Sequence, residues 1–360
     1  MLCQRARVRA SKGLNVMSAP RMKDVADLAG VSIKTVSRVL NNEPHVQDAV
    51  RDKVRAAVQE LNYIPSRSAR SLRGSKSYSI SLVCHSGSNV YMNAIQFGAV
   101  VACQDRGYSL QVIMPPLLTG LPLNEIIDIF TRFSIPQKPD GVLLVSPFAN
   151  DPTIDAALDS LGIPVARVGP VSINVSGVVV QINDHQATKE AVTHLIGLGH
   201  KRISFIRGRE NQRATHERYS GYCAALRDAN LPIEPGLISP GEFTFESGIA
   251  AAEHLLALET PPTAIFASND DMAAGVIMAA TKRGLNLPRD LSVVGFDDSE
   301  IAMRLLPNLT TVRQPLQELG GLAISSLIDA ISDKNKTSHE PIFLPHELII
   351  RDSTARLPSS

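Results

Sequence analysis

Two pairs of carboxylates, Asp270-Asp271 and Asp297-Asp298, each follow a short apolar run, Ala264–Ala267 and Val293–Gly295. Parallel sheets place ligands at the carboxyl ends of their strands, so acids there can accept hydrogen bonds from a ligand or take part in acid–base chemistry. A plainer use is also open, because Asp270 or Asp271 before Met272 is placed to cap a following helix. The rest of a catalytic inventory is missing. The chain holds no GxxxxGK[ST] phosphate loop, no GxGxxG after a strand and no GxSxG elbow. Its cysteines, Cys3, Cys84, Cys103 and Cys223, stand far apart with no CxxC pair and no histidine at metal-ligand spacing. They read as thiols in a reducing compartment, and no metal, disulfide framework or cofactor is expected.

The cationic side chains are unevenly spread. Residues 1–76 carry fifteen Lys and Arg against six acids, a charge of +9, so the remainder of a chain whose formal charge is +1 carries −8. A basic head on an acidic body suits a protein that meets nucleic acid at one end. With 360 residues, 44% hydrophobic and 20% charged, the composition is that of a globular protein of two or three domains. No apolar run reaches the ~18 residues needed to span a bilayer, so no membrane partner is expected. Residues 1–20 contain Arg5, Arg7, Arg9 and Lys12 without an apolar core, which reads as a disordered arm or an upstream start before Met17 or Met22. A cytoplasmic location follows.

Three helical patterns are packed into residues 21–65. Met22–Ala29 puts Met22, Val25, Ala26 and Ala29 on one face, Ile33–Leu40 turns Val36, Val39 and Leu40 inward, and Asp48–Leu61 repeats apolar residues at helical spacing. Gly30 can end the first helix in the left-handed region and Ser32 can cap the second, which makes a helix-turn-helix. Ile33, Lys34, Thr35, Ser37 and Arg38 then face outward. At the start of a recognition helix such side chains reach base edges, and hydroxyls grip phosphates.

The runs Lys23 to Ser32 (KDVADLAGVS) and Thr35 to Asn41 (TVSRVLN), closed by Leu61-Asn62-Tyr63-Ile64-Pro65, resemble the DNA-binding head of the lactose-repressor (LacI/GalR) family. The resemblance implies base readout by Ile33, Lys34 and Arg38, with positioning or phosphate contacts from Ser32, Thr35, Ser37, Asn41 and His45. It also gives the segment 66–76 a second reading. Taken alone, a stretch with Arg67, Arg70 and Arg73 and few apolar residues is a solvated linker. Within the family it is a hinge helix formed on the operator, where Leu72 would wedge into the minor groove with Arg73 beside it.

Residues 77–355 alternate strand and helix patterns. Strands are expected at Ser79–Cys84, Leu110–Met114, Gly141–Val145, Pro164–Val168, Gly177–Ile182, Arg202–Ile206, Ala264–Ala267 and Leu291–Gly295. Helices are expected at Tyr91–Arg106, Leu123–Phe133, Thr153–Leu161, Asp184–Leu198, His216–Ala229, Phe245–Ala257, Met272–Gly284 and Pro315–Ala330. The fold class is therefore α/β: an all-α head, then a body of two lobes built on parallel sheets. The boundaries read as a first lobe of about 77–180 and 310–340, a second of about 181–309 and 341–355, and a tail at 356–360.

Four further landmarks resemble the family's effector domain, which is similar to periplasmic sugar-binding proteins. They are His194-Leu195-Ile196 with Leu198-Gly199-His200, Arg218-Tyr219-Ser220-Gly221-Tyr222, Asn269-Asp270 with Met272-Ala273, and Val294 to Asp298 with Leu309 to Val312. The match implies effector contacts from Arg218, Asn269 and Asp297, ligand-lining roles for Tyr91 and Phe243, and a lobe crossover near the cleft at Gln314. One departure stands out. Many sugar-binding members carry an acid where this chain has Gly169, and Arg167 interrupts the strand two residues earlier. That cation could serve an anionic effector or meet an acid at a subunit contact.

The resemblance implies a homodimeric repressor that binds near-palindromic double-stranded operator DNA and answers to a small-molecule, carbohydrate-related effector. With no leucine heptad after Leu348–Arg351, a tail-held tetramer is not expected. The alternative is a soluble small-molecule receptor or an enzyme on the same α/β body. The basic head and the missing nucleophile or metal set speak against both.

Overall fold

The computed structural model describes residues 20–40, 44, 46–61, 63, 76–84, 89–114, 121–133, 138–169, 175–333 and 340–357. It separates into two compact units, Met1–Ser75 and Lys76–Ser360. The arm before residue 20 and the hinge residues 66–75 lie outside the described residues.

In the first unit the helices are α1 (Met22–Ala29), α2 (Ile33–Leu40) and α3 (Asp48–Glu60). Gly30 sits at φ +67°, and its N–H donates to the Ala26 carbonyl to close α1. A Cβ there would meet nothing within 4 Å, so it is backbone conformation that calls for glycine. The Ser32 hydroxyl accepts from the Thr35 N–H at 3.1 Å, capping α2. Val25 and Ala26 of α1, Val36 and Val39 of α2, Val54 and Ala57 of α3, and Tyr63 form the small core.

The second unit holds two six-stranded sheets. The first contains β1 (Ser79–Val83), β2 (Ser109–Ile113), β3 (Gly141–Val145), β4 (Val165–Val168), β5 (Val178–Gln181) and the late β11 (Ile342–Phe343), in the order β11-β5-β4-β3-β1-β2. The second contains β6 (Ile203–Ile206), β7 (Ile238–Ser239), β8 (Ala264–Ala267), β9 (Ser292–Asp297), β10 (Thr310–Arg313) and β12 (Glu347–Ile349), in the order β12-β10-β9-β8-β6-β7. Pairing is parallel except between β10 and β12.

Helices α4 (Asn89–Asp105), α5 (Leu123–Phe133) and α6 (Pro152–Ser160) connect the first sheet. Helices α7 (Asp184–Gly197), α8 (Arg213–Asp228), α9 (Phe245–Leu255), α10 (Asp270–Lys282) and the short α11 (Glu300–Arg304) connect the second. Helix α12 (Leu316–Ser332) returns to pack on α4, β3, β4 and β5. Glycines permit that return: a Cβ on Gly98 would lie 1.9 Å from the Gln317 carbonyl oxygen, and one on Gly320 would lie 2.2 Å from that of Ile95.

The lobes therefore divide differently from the sequence reading. The stretch 310–313, assigned there to the first lobe, is β10 of the second sheet, paired with β9 from Thr310↔Val294 to Arg313↔Asp297. Ile342–Phe343, assigned to the second lobe, pairs with β5 of the first. The chain passes between lobes three times, at 182–183, 314–315 and 344–346. Strands β7, β11 and β12 were not anticipated because they are two or three residues long, too short to show a period, and β10 because its four residues, Thr310–Arg313, hold one apolar side chain.

The last described residues are sewn into the second lobe. The Ser353 hydroxyl accepts from Thr310 N–H at 2.8 Å and donates to the Val293 carbonyl at 2.6 Å. Buried His200 reaches Thr263 Oγ1 (2.9 Å), Ser292 Oγ (3.0 Å) and the Ala355 carbonyl (3.1 Å), and His194 reaches Thr354 Oγ1 at 3.1 Å. Among the described residues no helix is long and apolar enough to cross a membrane.

Candidate functional site

On the head, α2 packs Val36 and Val39 inward, and this leaves Ser32, Lys34 and Arg38 exposed with Thr35 and Ser37 half-buried beside them. Ile33 is 42% exposed at the first position of the helix, an apolar side chain with no place in the core. Asn41, His45, Leu72 and Arg73 lie outside the described residues.

In the body, the expected ligand residues gather where the strands end. Tyr91 lies in the first turn of α4, Phe243 follows β7, Asn269 follows β8, Asp297 ends β9 and Gln314 follows β10. Arg218 projects from α8 and is 5% exposed. Its Nε donates to Asp184 Oδ1 at 2.7 Å and its Nη1 to the Ser268 carbonyl, and its guanidinium lies 3.7 Å from the Phe296 ring centroid and 5.9 Å from that of Phe243. Gln314 Nε2 donates to Asp297 Oδ1 at 2.7 Å. Asp297, Asp298 and Phe243 take φ values of +115°, +53° and +60°, unusual for residues with side chains. Strain of this kind collects where a site must be held in one shape.

The electrostatics follow from burial. Asp297 is pushed up to about 7 by desolvation, reinforced by Asp271 and Asp184 and opposed by Arg218 and the Gln314 hydrogen bond. Tyr91 is held protonated well above its ordinary range by burial and by the carboxylates Asp297 and Asp184, with Arg218 working the other way. Tyr91, Asp297, Asp184 and Arg218 therefore lie near enough for their charges to act on one another.

The two carboxylate pairs divide their labour. Asp297 meets Gln314. Its neighbour Asp298 is an anchor, accepting from Arg313 Nε at 2.7 Å and Arg351 Nη2 at 2.5 Å. Neither Asp270 nor Asp271 caps α10; Asn269 does, its Oδ1 accepting from Met272 N–H at 3.0 Å. Buried Asp270 instead accepts from Thr311 Oγ1 at 2.6 Å and from Ser299 N and Oγ at 2.7 and 3.0 Å. Asn269 Nδ2 also donates to the Phe243 carbonyl at 3.1 Å, so this residue holds Phe243 in place.

Arg167 serves neither of the roles weighed for it. It is 0% exposed and its side chain points to the α6 face of the sheet. There it donates to Asp155 and to the Ser176 carbonyl, and from Nε to the Ala149 carbonyl at 3.1 Å. Strand alternation explains this: Ala166 and Val168 belong to one core and Val165 to the other, so Arg167 shares the face of Val165. At Gly169, φ is +105°, and a Cβ there would lie 3.5 Å from Ser146 Oγ and 3.7 Å from Tyr91 Oη.

The sequence reading did not single out Asp184, the partner of Arg218, which is 2% exposed at the start of α7. An acid in a first turn usually complements the helix dipole, and that ordinary role hid it. Asn183 already supplies the cap, accepting from Gln186 N–H at 2.9 Å.

Residues 21–66 match the family described as bacterial regulatory proteins, lacI family, and residues 192–354 match the periplasmic binding protein-like domain. The probable HTH-type transcriptional repressor ExuR of Bacillus subtilis is 34% identical over 337 residues, 93% of this chain and 98% of that protein. The chain belongs to the LacI family.

The ribose operon repressor of Escherichia coli is 35% identical to this regulator, covering 86% of this chain and 93% of that protein. Among solved structures, the lac repressor dimer bound to operator and an anti-inducer superposes with a TM-score of 0.76 at 29% identity, over 94% of this chain and 100% of that one. A complex of the regulator CelR with cellobiose gives 0.69 at 32% identity, over 93% and 99%. This LacI-family protein is thus a transcriptional regulator and not an enzyme, with a helix-turn-helix head and an effector domain that controls its binding to DNA.

Proposed function

We propose that this LacI-family regulator works in the cytoplasm as a homodimeric repressor of a small-molecule uptake or catabolic operon, released or engaged by a carbohydrate-related effector. The observation that carries the effector reading is the convergence of Arg218, Asp297, Gln314 and Tyr91, drawn from four separate stretches, on one cleft at the strand ends. Brought to this chain, the operator and anti-inducer in the lac repressor structure and the cellobiose in the CelR structure support both halves of the reading.

Ile33, Lys34 and Arg38 read bases from the major groove, while Ser32, Thr35, Ser37, Asn41 and His45 grip phosphates and set register. Arg38 can fork onto guanine, and Ile33 offers an apolar contact to a thymine methyl. Two heads take the two halves of a near-palindromic operator. Leu72 and Arg73 of the paired hinges enter the minor groove. The effector changes the angle between lobes and with it the geometry of those hinges.

Gel retardation of the protein's own upstream DNA across a salt series tests this. The slope of log affinity against log salt is expected at about −5 to −9, for roughly 6–10 phosphate contacts. A flat response would sink the reading.

A further inference from the structure

Asp297 and Asp298 are consecutive residues held at positive φ, +115° and +53°. Such backbone persists in residues with side chains only where the surroundings fix it more than once. Here it is fixed from two directions. Just downstream, Ser299 donates from N and from Oγ to one oxygen of buried Asp270. On Asp298 both carboxylate oxygens are taken, Oδ2 by Arg313 Nε at 2.7 Å and Oδ1 by Arg351 Nη2 at 2.5 Å. The side chains of Asp298 and Arg351 are 9% and 15% exposed, so water and salt screen this pair little.

The two arginines are themselves held in place. Arg351 Nη1 donates to the Leu309 carbonyl at 2.8 Å, and its N–H donates to Thr310 Oγ1 at 2.9 Å. Arg313 is the ladder partner of Asp297 on β10, and its Nη1 reaches Glu347 at 2.9 Å. A bend that served only to redirect the chain would need no such clamp, because glycine or asparagine enters the left-handed region at little cost. The residue that gains from it is the one before. Asp297 Oδ1 accepts from Nε2 of Gln314, the residue that follows Arg313 where the chain crosses between lobes.

Resting on the effector reading above, we infer that Asp298 is a positioning residue: locked by Arg313 and Arg351, it holds the strained backbone that sets the Asp297 carboxylate against Gln314 for the effector. Arg351 is the committed half of the lock, and Arg313, half-exposed and shared with Glu347, is the weaker half.

The test follows the Asp297 carboxyl in full-length, ligand-free protein carrying 13C at its aspartate carboxyls, the signal being assigned by its loss in Asp297→Asn. In the parent it is expected to titrate near 7. Asp298→Gly keeps the left-handed backbone and removes the clamp, and Arg351→Gln keeps Asp298 and removes its buried partner. Freed from the clamp, Asp297 gains water and loses the desolvation that raises it, so both variants are expected to lower the midpoint by about one pH unit or more. Charge alone would move them in opposite directions, since losing an anion lowers a neighbouring carboxyl and losing a cation raises it. Arg313→Gln is expected to do less than Arg351→Gln. A midpoint unchanged in Asp298→Gly, or unchanged or raised in Arg351→Gln, would overturn the inference. Glycine suits the backbone at 298, so Asp298→Gly keeps the test open even where Arg351→Gln fails to fold. With no ligand present, this failure is distinct from failure of the effector reading, which shows as no thermal shift with any sugar.

Discussion

Each lobe of the body buries one arginine against one aspartate, and the two pairs are built to opposite ends. Arg167 is closed on itself: Asp155 and the carbonyls of Ala149 and Ser176 take its donors inside the first lobe. Arg218 is equally shielded from water, yet its partner keeps an oxygen without a donor and its guanidinium face lies on Phe296. A buried pair completed by backbone carbonyls is part of the scaffold. One that ends in an unfilled acceptor has capacity for a further partner. Burial of an arginine by itself does not say which, and a shifted aspartate does not either: burial raises both Asp155 and Asp184, with their arginines opposing.

The contrast is sharpest in stability. Arg167→Met leaves Asp155 and two carbonyls without their donors and is expected to lower the unfolding free energy by about 3–5 kcal/mol, read by urea denaturation. Adding Asp155→Asn should recover part of it, and the effector affinity of the folded fraction should stay as in the parent. Effector binding that fell with Arg167→Met at low temperature would break the comparison.

Arg218→Met combined with Asp184→Asn removes the other pair without stranding a charge. Stability should fall less than for Arg167→Met, whereas effector affinity should drop at least about a hundredfold, near 2.7 kcal/mol, since charge-assisted hydrogen bonds are lost at the ligand. Calorimetry on the double variant gives the number.

The pH response of Asp297 comes next. Unfolded, its carboxyl titrates in the ordinary range near ~3.9; folded, it holds its proton to about 7. The folded chain therefore binds more protons between those values. The contribution of Asp297 to stability is full at low pH and is lost as pH rises toward 7, at no more than about 1.4 kcal/mol per pH unit. Effector accepted by the ionised carboxylate should bind more tightly as pH rises through 7, releasing a proton. Calorimetry in buffers of different ionisation enthalpy detects that release, and Asp297→Asn should abolish it.

The smallest effect is expected at Gly169, where Ala has room beside Ser146 and Tyr91 but must adopt φ +105°. A loss of about 1 kcal/mol by thermal denaturation would come from the backbone alone.

Much of this was legible in the residues. The head declares itself through Gly30, Ser32 and the spacing of Val25, Val36 and Val54, because a helix-turn-helix is local and its period is short. Arg218 and Asp297 were singled out because each sits in a run dense enough to match a family, and Gln314 because it follows such a run where the chain crosses between lobes. Asp184 was not, since an acid opening a helix has an ordinary explanation and its partner is 34 residues away in sequence. Arg167 was misjudged because its side depends on strand register against α6, which distance along the chain does not encode. Asn269, expected at the ligand, also caps α10 and holds Phe243, two roles its place in a matched run did not reveal. The lobe boundary slipped because β10 is four residues, two of them threonine, whose place is fixed by Asp270 and Ser353 rather than by its own apolar pattern.

The three passages between sheets give the body an order of assembly. During synthesis at roughly 5–20 residues per second, about 15–55 s separate β1 from the arrival of Ser353. Until the chain reaches that point, β5 waits for β11 and β10 for β12, so each sheet lacks its last strand on the ribosome. The head has no such dependence: its core closes with Tyr63. A nascent chain therefore carries a finished DNA-binding fold well before it carries a finished sensor. The bonds of Ser353 to Thr310 and Val293, and of Ala355 to His200, come last of all, and they tie strands made much earlier to the end of the chain.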